Sequence, residues 1–243
     1  MELIVSDFDG TYLVSEDKLI ENNKRIHEFR KNKNLFMLSS GRSYASLKEM
    51  TLKYNIEYDF LSCCDGSILY DNKGNIIKQF DLDNTILKKF LGLKKYSKIE
   101  RIQYSYKDDY YDHFLNNSLI GCNLVIRNDE ITNKFLKKFE DLKENNKTYD
   151  FLQYRHDEIT FFCIKNKGIN KSSTIKVLKD LYNLDYEDIY VFGDNENDYA
   201  MLSSFKGYYI GSVDDRIKNV CLKGYNQLYE FLDEKNLITL QNN

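Results

Sequence analysis

Leu3-Ile4-Val5-Ser6-Asp7-Phe8-Asp9-Gly10-Thr11 opens the chain with a short apolar run that stops at two carboxylates and a glycine. An apolar run of this kind suits a strand buried on both faces of a parallel sheet. Working outward, Leu35-Phe36-Met37-Leu38 and Phe60-Leu61 repeat the pattern. Between these runs the apolar residues fall at helical spacing, with Ile26 and Phe29 in one segment and Leu47, Met50 and Tyr54 in the next. The order strand, helix, strand, helix, strand predicts an α/β fold with a doubly wound, Rossmann-like parallel sheet. Ile68-Leu69-Tyr70 and Ile76-Ile77 flank the turn-rich residues 71–75 and predict a hairpin.

From about Leu82 the pattern changes. Ile86, Phe90 and Leu93 predict one helix, and Ile131, Phe135, Leu136, Phe139 and Leu142 a second. Around them, Ile102 to Tyr106, Leu124 to Ile126, Phe151 to Tyr154 and Ile159 to Ile164 read as strands. This mixture predicts a smaller α+β domain with a largely antiparallel sheet over residues 82–165. It interrupts a core made of residues 1–81 and 166–243. The α/β pattern then resumes: a helix through Ile175, Leu178 and Leu181, a strand at Ile189 to Phe192, a helix at Met201 and Leu202, a strand at Tyr208 to Ile210, and a closing helix at Leu228, Phe231 and Leu232. The chain contains no proline, which removes the usual punctuation between elements.

Bulk composition narrows the function classes. Hydrophobic residues at 42% and charged residues at 30% describe an ordinary globular protein. A formal net charge of −3, with lysines interleaved among acids, gives no basic surface for nucleic acid. No apolar run is long enough to span a bilayer. Met1 leads into a strand without a secretory leader, so a cytoplasmic location is expected. The five cysteines are Cys63, Cys64, Cys122, Cys163 and Cys221. They are odd in number and form no Cys-x-x-Cys pair, which indicates neither a disulfide framework nor a zinc site. Cys63 and Cys64 read as small buried residues. His27, His113 and His156 are scattered and read as surface or structural residues.

Three strands of the core end in polar clusters: Ser6 to Thr11, Ser39-Ser40-Gly41-Arg42, and Gly193-Asp194-Asn195-Glu196-Asn197-Asp198. Asp, Asn, Ser and Gly are common turn residues, so each cluster alone is compatible with turn chemistry. In a doubly wound sheet, however, the carboxyl ends of the strands share one edge, and ligands bind there. Asp7, Asp9, Asp194 and Asp198 then gather four carboxylates that repel each other unless a cation is present. An all-oxygen donor set suits Mg²⁺ better than zinc or copper. Mg²⁺ in turn favours a phosphoryl substrate, whose charge it neutralises. Ser40 offers a hydroxyl, and Gly41 lets a backbone N–H approach an anion closely. Lys171 stands at the start of the helix carrying Ile175, where a cation can meet a phosphate, although on position alone it reads as one of many surface lysines.

Together these motifs resemble those of the haloacid dehalogenase superfamily. Asp7-Phe8-Asp9-Gly10-Thr11 is similar to its first motif, Ser40-Gly41-Arg42 to its second in the Cof-type (subfamily IIB) branch, Gly168-Ile169-Asn170-Lys171 to its third, and Gly193 to Asp198 to its fourth. The resemblance covers nearly the whole chain and implies the following roles. Asp7 is the nucleophile and a metal ligand. Asp9 is the acid and base and gives a backbone carbonyl to the metal. Asp194 and Asn195 complete the metal shell. Phe8 (through its N–H), Ser40, Gly41, Lys171 and Asn197 bind phosphate, while Asp198, Arg42 and Thr11 support them. The implied activity is a Mg²⁺-dependent phosphatase acting on small phosphorylated metabolites, sugar phosphates foremost, as a monomer or weak homo-oligomer. A phosphotransferase or phosphomutase built on the same aspartyl phosphate is the alternative enzyme. A phospho-acceptor module or a sugar-phosphate-binding protein is the non-enzymatic one.

Three residues depart from the family pattern. Ser40 stands for the commoner Thr, Ser43 for a frequent Pro, and Asp65 for Asn ahead of Gly66. Asp65 either caps a turn or disfavours strongly anionic substrates. In the branch the insert supplies specificity, which makes Tyr104, Tyr106, Tyr110, Tyr111, Asp112, His113, Gln153, Tyr154 and Arg155 candidates, although tyrosines also serve as sheet packing.

Overall fold

The computed structural model describes residues 1–116 and 118–241. The chain divides into two compact units, one of residues 1–78 with 170–243 and the other of residues 79–169.

In the first unit, β1 (Leu3–Asp7), α1 (Glu16–Lys31), β2 (Leu35–Ser39), α2 (Tyr44–Lys53), β3 (Phe60–Cys63), β4 (Ile68–Asp71) and β5 (Ile76–Gln79) follow in order. The second unit contributes α3 (Asn84–Leu91), β6 (Arg101–Ser105), β7 (Tyr110–Tyr111), β8 (Gly121–Arg127), α4 (Asn133–Glu144), β9 (Tyr149–Arg155) and β10 (Ile159–Asn166). The chain then returns through α5 (Lys171–Tyr182), β11 (Ile189–Gly193), α6 (Tyr199–Ser204), β12 (Lys206–Ile210), α7 (Asp215–Lys218), β13 (Lys223–Tyr225) and α8 (Leu228–Gln241).

The large sheet runs in the order β13-β12-β11-β1-β2-β3-β4-β5. From β13 to β3 it is parallel, and β4 turns back antiparallel to β3. The strand order switches direction at β1, because the chain moves to β2 and β3 on one side and later to β11 and β12 on the other. Every residue of β1 is buried, as a strand covered on both faces requires. Register sets Asp7 opposite Ser39 and Ser6 opposite Phe192, so β1, β2 and β11 stop at one level. All three polar clusters therefore emerge together at the switch point.

The second unit is an antiparallel sheet of order β7-β6-β8-β10-β9, with α3 and α4 over one face. The covered face carries Tyr104, Cys122, Leu124, Ile126, Phe151, Phe162 and Ile164. Tyr104 and Tyr106 are buried here, so these two specificity candidates are packing residues. The Tyr106 hydroxyl also accepts from Leu115 N–H at 2.8 Å. Two- and three-residue strands such as β7 and β13 are too short to leave a periodic signature. Cys64 corrects the expectation of burial: of this pair Cys63 is buried, while Cys64 is half-buried with a left-handed φ of 51°. Among the described residues no helix is long and apolar enough to cross a membrane.

One buried polar side chain ties the loop after β1 to the closing helix. Asn22 is fully buried on α1; its amide donates to Tyr12 O at 2.9 Å and its oxygen accepts from Tyr229 N–H at 2.9 Å. Replacing it orphans both backbone groups, at roughly 1–3 kcal/mol each. Asn22→Ala should lower the urea midpoint accordingly, and an unchanged midpoint would show that neither bond contributes.

Candidate active site

The β1 loop folds back on itself: Tyr12 N–H donates to Asp7 O at 3.2 Å and Leu13 N–H to Phe8 O at 2.8 Å. This places Asp7 at the base of the loop and exposes Asp9 above it. Gly10 has φ +88°, and a Cβ there would stand 2.5 Å from Asp194 Oδ2. Thr11, fully buried, donates to Asp194 Oδ1 at 2.5 Å. The first and fourth clusters thus lock together, and only glycine leaves room for the Asp194 carboxylate.

Lys171 is the main surprise. Sequence position alone suited a surface lysine, yet its side chain is 0% exposed. Asn170 caps α5 through a box with Ser173, which aims the first helical residue, Lys171, into the core. Its ammonium donates to Asp7 Oδ1 and, at 2.6 Å, to Asp198 Oδ1. Asp198 is also fully buried, and its other oxygen accepts from the N–H groups of Asp194 and Asn195 at 3.1 Å each. Both Asp198 oxygens are therefore committed.

Burial pushes the Asp7 carboxyl up to about 8; Lys171 pulls it down, and the charges of Asp198 and Asp194 add to the rise. Burial also raises Asp194, with Asp198 adding to it and Thr11 opposing. Burial works against the Lys171 ammonium, but Asp7 and Asp198 outweigh it and the net shift is upward.

Oxygen atoms of Asp7, Asp194 and Asp198 lie within 4.8 Å of one another. Three carboxylates against one ammonium leave a surplus of negative charge, and every donor is oxygen, so the residues fit a hard divalent cation. Because Asp198 is spent on Lys171 and two N–H groups, Asp7 and Asp194 are the carboxylates free to hold one.

A cavity of about 330 Å³ opens above this cluster, lined by Asp7, Asp9, Ser40, Gly41, Arg42, Asn195 and Asn197. Phe8, Thr11, Lys171 and Asp198 are buried around it. Arg42 forks Asp9 through two bonds of 2.7 Å, and its guanidinium lies 5.6 Å from the Phe8 ring centroid. Ser40 Oγ accepts from Arg42 N–H at 3.2 Å. Asn195 Oδ1 accepts from Glu196 N–H at 2.7 Å, so that atom caps its own turn.

The family model for haloacid dehalogenase-like hydrolases matches residues 4–225. The chain belongs to that family. An uncharacterised Mycoplasma capricolum protein is 30% identical to this hydrolase over 234 residues, covering 83% of this chain and 87% of the other. The 5-amino-6-(5-phospho-D-ribitylamino)uracil phosphatase of Bacillus subtilis is 23% identical over 225 residues, covering 90% and 87%. In fold, the hydrolase matches a subclass IIB sugar phosphatase of the superfamily with a TM-score of 0.71 at 14% identity, over 97% of this chain and 99% of that one. It is a Cof-type phosphatase, a phosphoric monoester hydrolase.

In the inserted unit, sequence reasoning passed over Gln103, Asn123 and Cys163. They stand opposite one another in register, on the sheet face away from the core cluster. The period-2 alternation with Ile102 and Tyr104 is the signal that could have found them. Tyr110, Asp112, His113, Gln153, Tyr154 and Arg155 are exposed, while the Tyr111 hydroxyl donates to Asp108 at 2.8 Å.

A proton count checks the charge balance. With the Asp7 carboxyl pushed up to about 8, a divalent cation that takes its ionised form competes with a proton. Mg²⁺ binding should release a proton, and its affinity should rise with pH from 6 until it levels off above about 8. Calorimetry in two buffers of different ionisation enthalpy reads the release. Asp7→Asn should abolish it, and a pH-independent affinity between 6 and 8 would contradict the balance.

Proposed function

We propose that the hydrolase is a Mg²⁺-dependent phosphatase that removes the phosphoryl group of small phosphorylated metabolites, sugar phosphates foremost, through a phospho-aspartate on Asp7. The observation that carries this reading is the Asp7 carboxylate lining the cavity floor, with one oxygen held by Lys171. A hydrogen-bonded oxygen fixes the carboxylate plane and leaves the other free to attack.

Mg²⁺ supplies the positive charge that lets a phosphoryl dianion approach these carboxylates. Its ligands would be the Asp7 and Asp194 carboxylates, the Asp9 carbonyl and Asn195. Lys171, Ser40, Gly41, Asn197 and the Phe8 N–H would hold the phosphoryl oxygens. Thr11 and Asp198 position the two metal carboxylates, Thr11 by its bond to Asp194 and Asp198 through Lys171.

In the first step an Asp7 oxygen forms a bond to phosphorus while the ester P–O bond breaks, and Asp9 gives the leaving oxygen a proton. In the second, Asp9 takes a proton from water, the water oxygen bonds to phosphorus, and the Asp7–phosphorus bond breaks to release phosphate. In this structure Asp9 accepts two N–H donors from Arg42. To deliver its proton it must turn out of that fork, so Arg42 is its resting partner. The inserted unit contributes to selection among esters, and Gln103, Asn123, His113 and Arg155 are the residues to test there.

Asp7→Asn should reduce p-nitrophenyl phosphate turnover to a trace while leaving the circular dichroism spectrum unchanged. Excess chelator should silence the wild type, and Mg²⁺ should restore it. Turnover persisting in either case would sink the mechanism.

Asp9→Ala should lower kcat on sugar phosphates by roughly 10²–10⁴. The loss should be smaller on p-nitrophenyl phosphate, whose leaving group needs no proton. Equal losses on both would remove Asp9 from the role of acid.

A further inference from the structure

We infer that Asp65 sets the class of leaving group that the hydrolase accepts: its carboxylate turns away phosphate esters bearing a second anionic group and favours neutral or amine-bearing ones. The inference rests on the phosphatase reading of the site, which makes Ser40 and Gly41 part of the phosphoryl cradle.

Residues 64–66 form a tight turn between β3 and β4 in which Cys64, Asp65 and Gly66 all have positive φ, at 51°, 52° and 85°. The turn is fastened to the cradle from two sides. Asp65 N–H donates to Ser40 O at 3.1 Å, and Cys64 N–H donates to Arg42 O at 2.9 Å. Behind it, a Cβ on Gly66 would stand 2.0 Å from Asn170 O, so the turn also abuts the start of α5 just ahead of Lys171. Asp65 therefore cannot swing away from the cradle with its backbone.

Its carboxylate lies against Gly41. The position a Gly41 Cβ would take is 3.2 Å from Asp65 Oδ1 and 3.5 Å from Oδ2. Gly41 itself lines the cavity. The turn does not explain the choice of Asp, since Asn or Gly adopts a left-handed φ at least as readily. Nor does hydrogen bonding within the turn, because Asp65 Oδ1 is buried and accepts nothing. A buried, unsatisfied carboxylate oxygen is costly, and one beside a ligand cavity asks for a functional reason.

The charge count gives that reason. Among the described residues, the carboxylates that line the cavity or pack directly against its lining and the Lys171 cluster are Asp7, Asp9, Asp65, Asp194 and Asp198, and the cations set among them are Arg42 and Lys171. Arg42 is taken by Asp9, and Lys171 by Asp7 and Asp198. Among the described residues no ion pair is formed by Asp65. A divalent cation bound at Asp7 and Asp194 leaves one negative charge uncompensated, and Asp65 is the carboxylate without a partner. The phosphoryl group meets the cation directly, but a second phosphate or carboxylate on the leaving group meets only the surplus. In a half-buried site that repulsion is screened far less than in water.

The test compares kcat/KM for glucose 6-phosphate, a hexose bisphosphate, phosphoglycolate and p-nitrophenyl phosphate in wild type, Asp65→Asn and Asp65→Gly. Both substitutions keep a left-handed turn accessible. The ratio of bisphosphate or phosphoglycolate to glucose 6-phosphate should rise about tenfold in both variants at low salt, and by less at high salt. p-Nitrophenyl phosphate turnover should stay within about twofold, since it carries neither a second anion nor an amine. A ratio that does not move overturns the inference. So does a parallel change on all four esters, which would show that Asp65 acts only by holding the Ser40 loop. If wild type turns over none of them, the phosphatase reading fails separately. The same ratio is then read as Kd values for glucose 6-phosphate and the bisphosphate by calorimetry: a rise in both variants supports the role of Asp65, and an unmoved ratio overturns it.

Discussion

A lysine ammonium with no exposure to solvent, bonded to two carboxylates, is a severe constraint on any fold. Lys171 must be delivered to Asp7 and Asp198 with its charge matched, because an unpaired charge at that depth would cost several kcal/mol. Meeting it requires β1 to end at Asp7, α5 to begin at Lys171, and the turn after β11 to place Asp198 between them. One segment before the inserted unit and two after it are thus held to a common point. The arrangement is weak evidence for stability, since apolar residues pack such a space at less desolvation cost, so its rationale is the site it builds.

Around that point the close approaches depend on absent side chains. Asp194 fits against Gly10 and Asp198 against Gly193, where a Cβ would stand 2.5 Å from the Asp198 Cβ. The glycine in Asp-x-Asp-Gly-Thr is therefore the clearance for Asp194, and the one that opens Gly-Asp-x-x-Asn-Asp is the clearance for Asp198 of its own motif. Thr11 and the backbone N–H groups of Asp194 and Asn195 then take up carboxylate oxygens that Lys171 leaves. The result is an oxygen-rich site whose surplus negative charge suits a divalent ion and, through it, a phosphoryl group. Membership of the haloacid dehalogenase-like hydrolases accords with that chemistry.

Much of this is legible in the order of residues alone. The buried runs at Leu3, Leu35 and Ile189 alternate with helical spacing, and that by itself implies a parallel sheet whose strand ends share an edge. The polar residues that close each run can then be assigned to one place. Asp7, Asp9, Ser40, Gly41, Arg42, Asn195 and Asn197 do line one cavity. The inserted unit is legible as α+β, because its alternating strands and two amphipathic helices differ in period from the segments around them.

The remainder depends on long-range geometry. Lysine is a surface residue by default, and only the aim of the α5 N-terminus makes Lys171 a core one. Tyr104 and Gln103 are neighbours in sequence, but strand pairing decides which of them enters the core. Asp65 reads as a turn residue in isolation. It becomes a charge beside Gly41 only when the turn after β3 is fastened to the Ser40 loop. Sequence determined the order of buried and polar segments, and with it the fold class and the sheet edge at which the polar clusters meet, because burial periodicity is local. Tertiary structure decided which charges meet, because pairing and desolvation act between residues that lie from a few tens to more than a hundred and fifty positions apart in the chain.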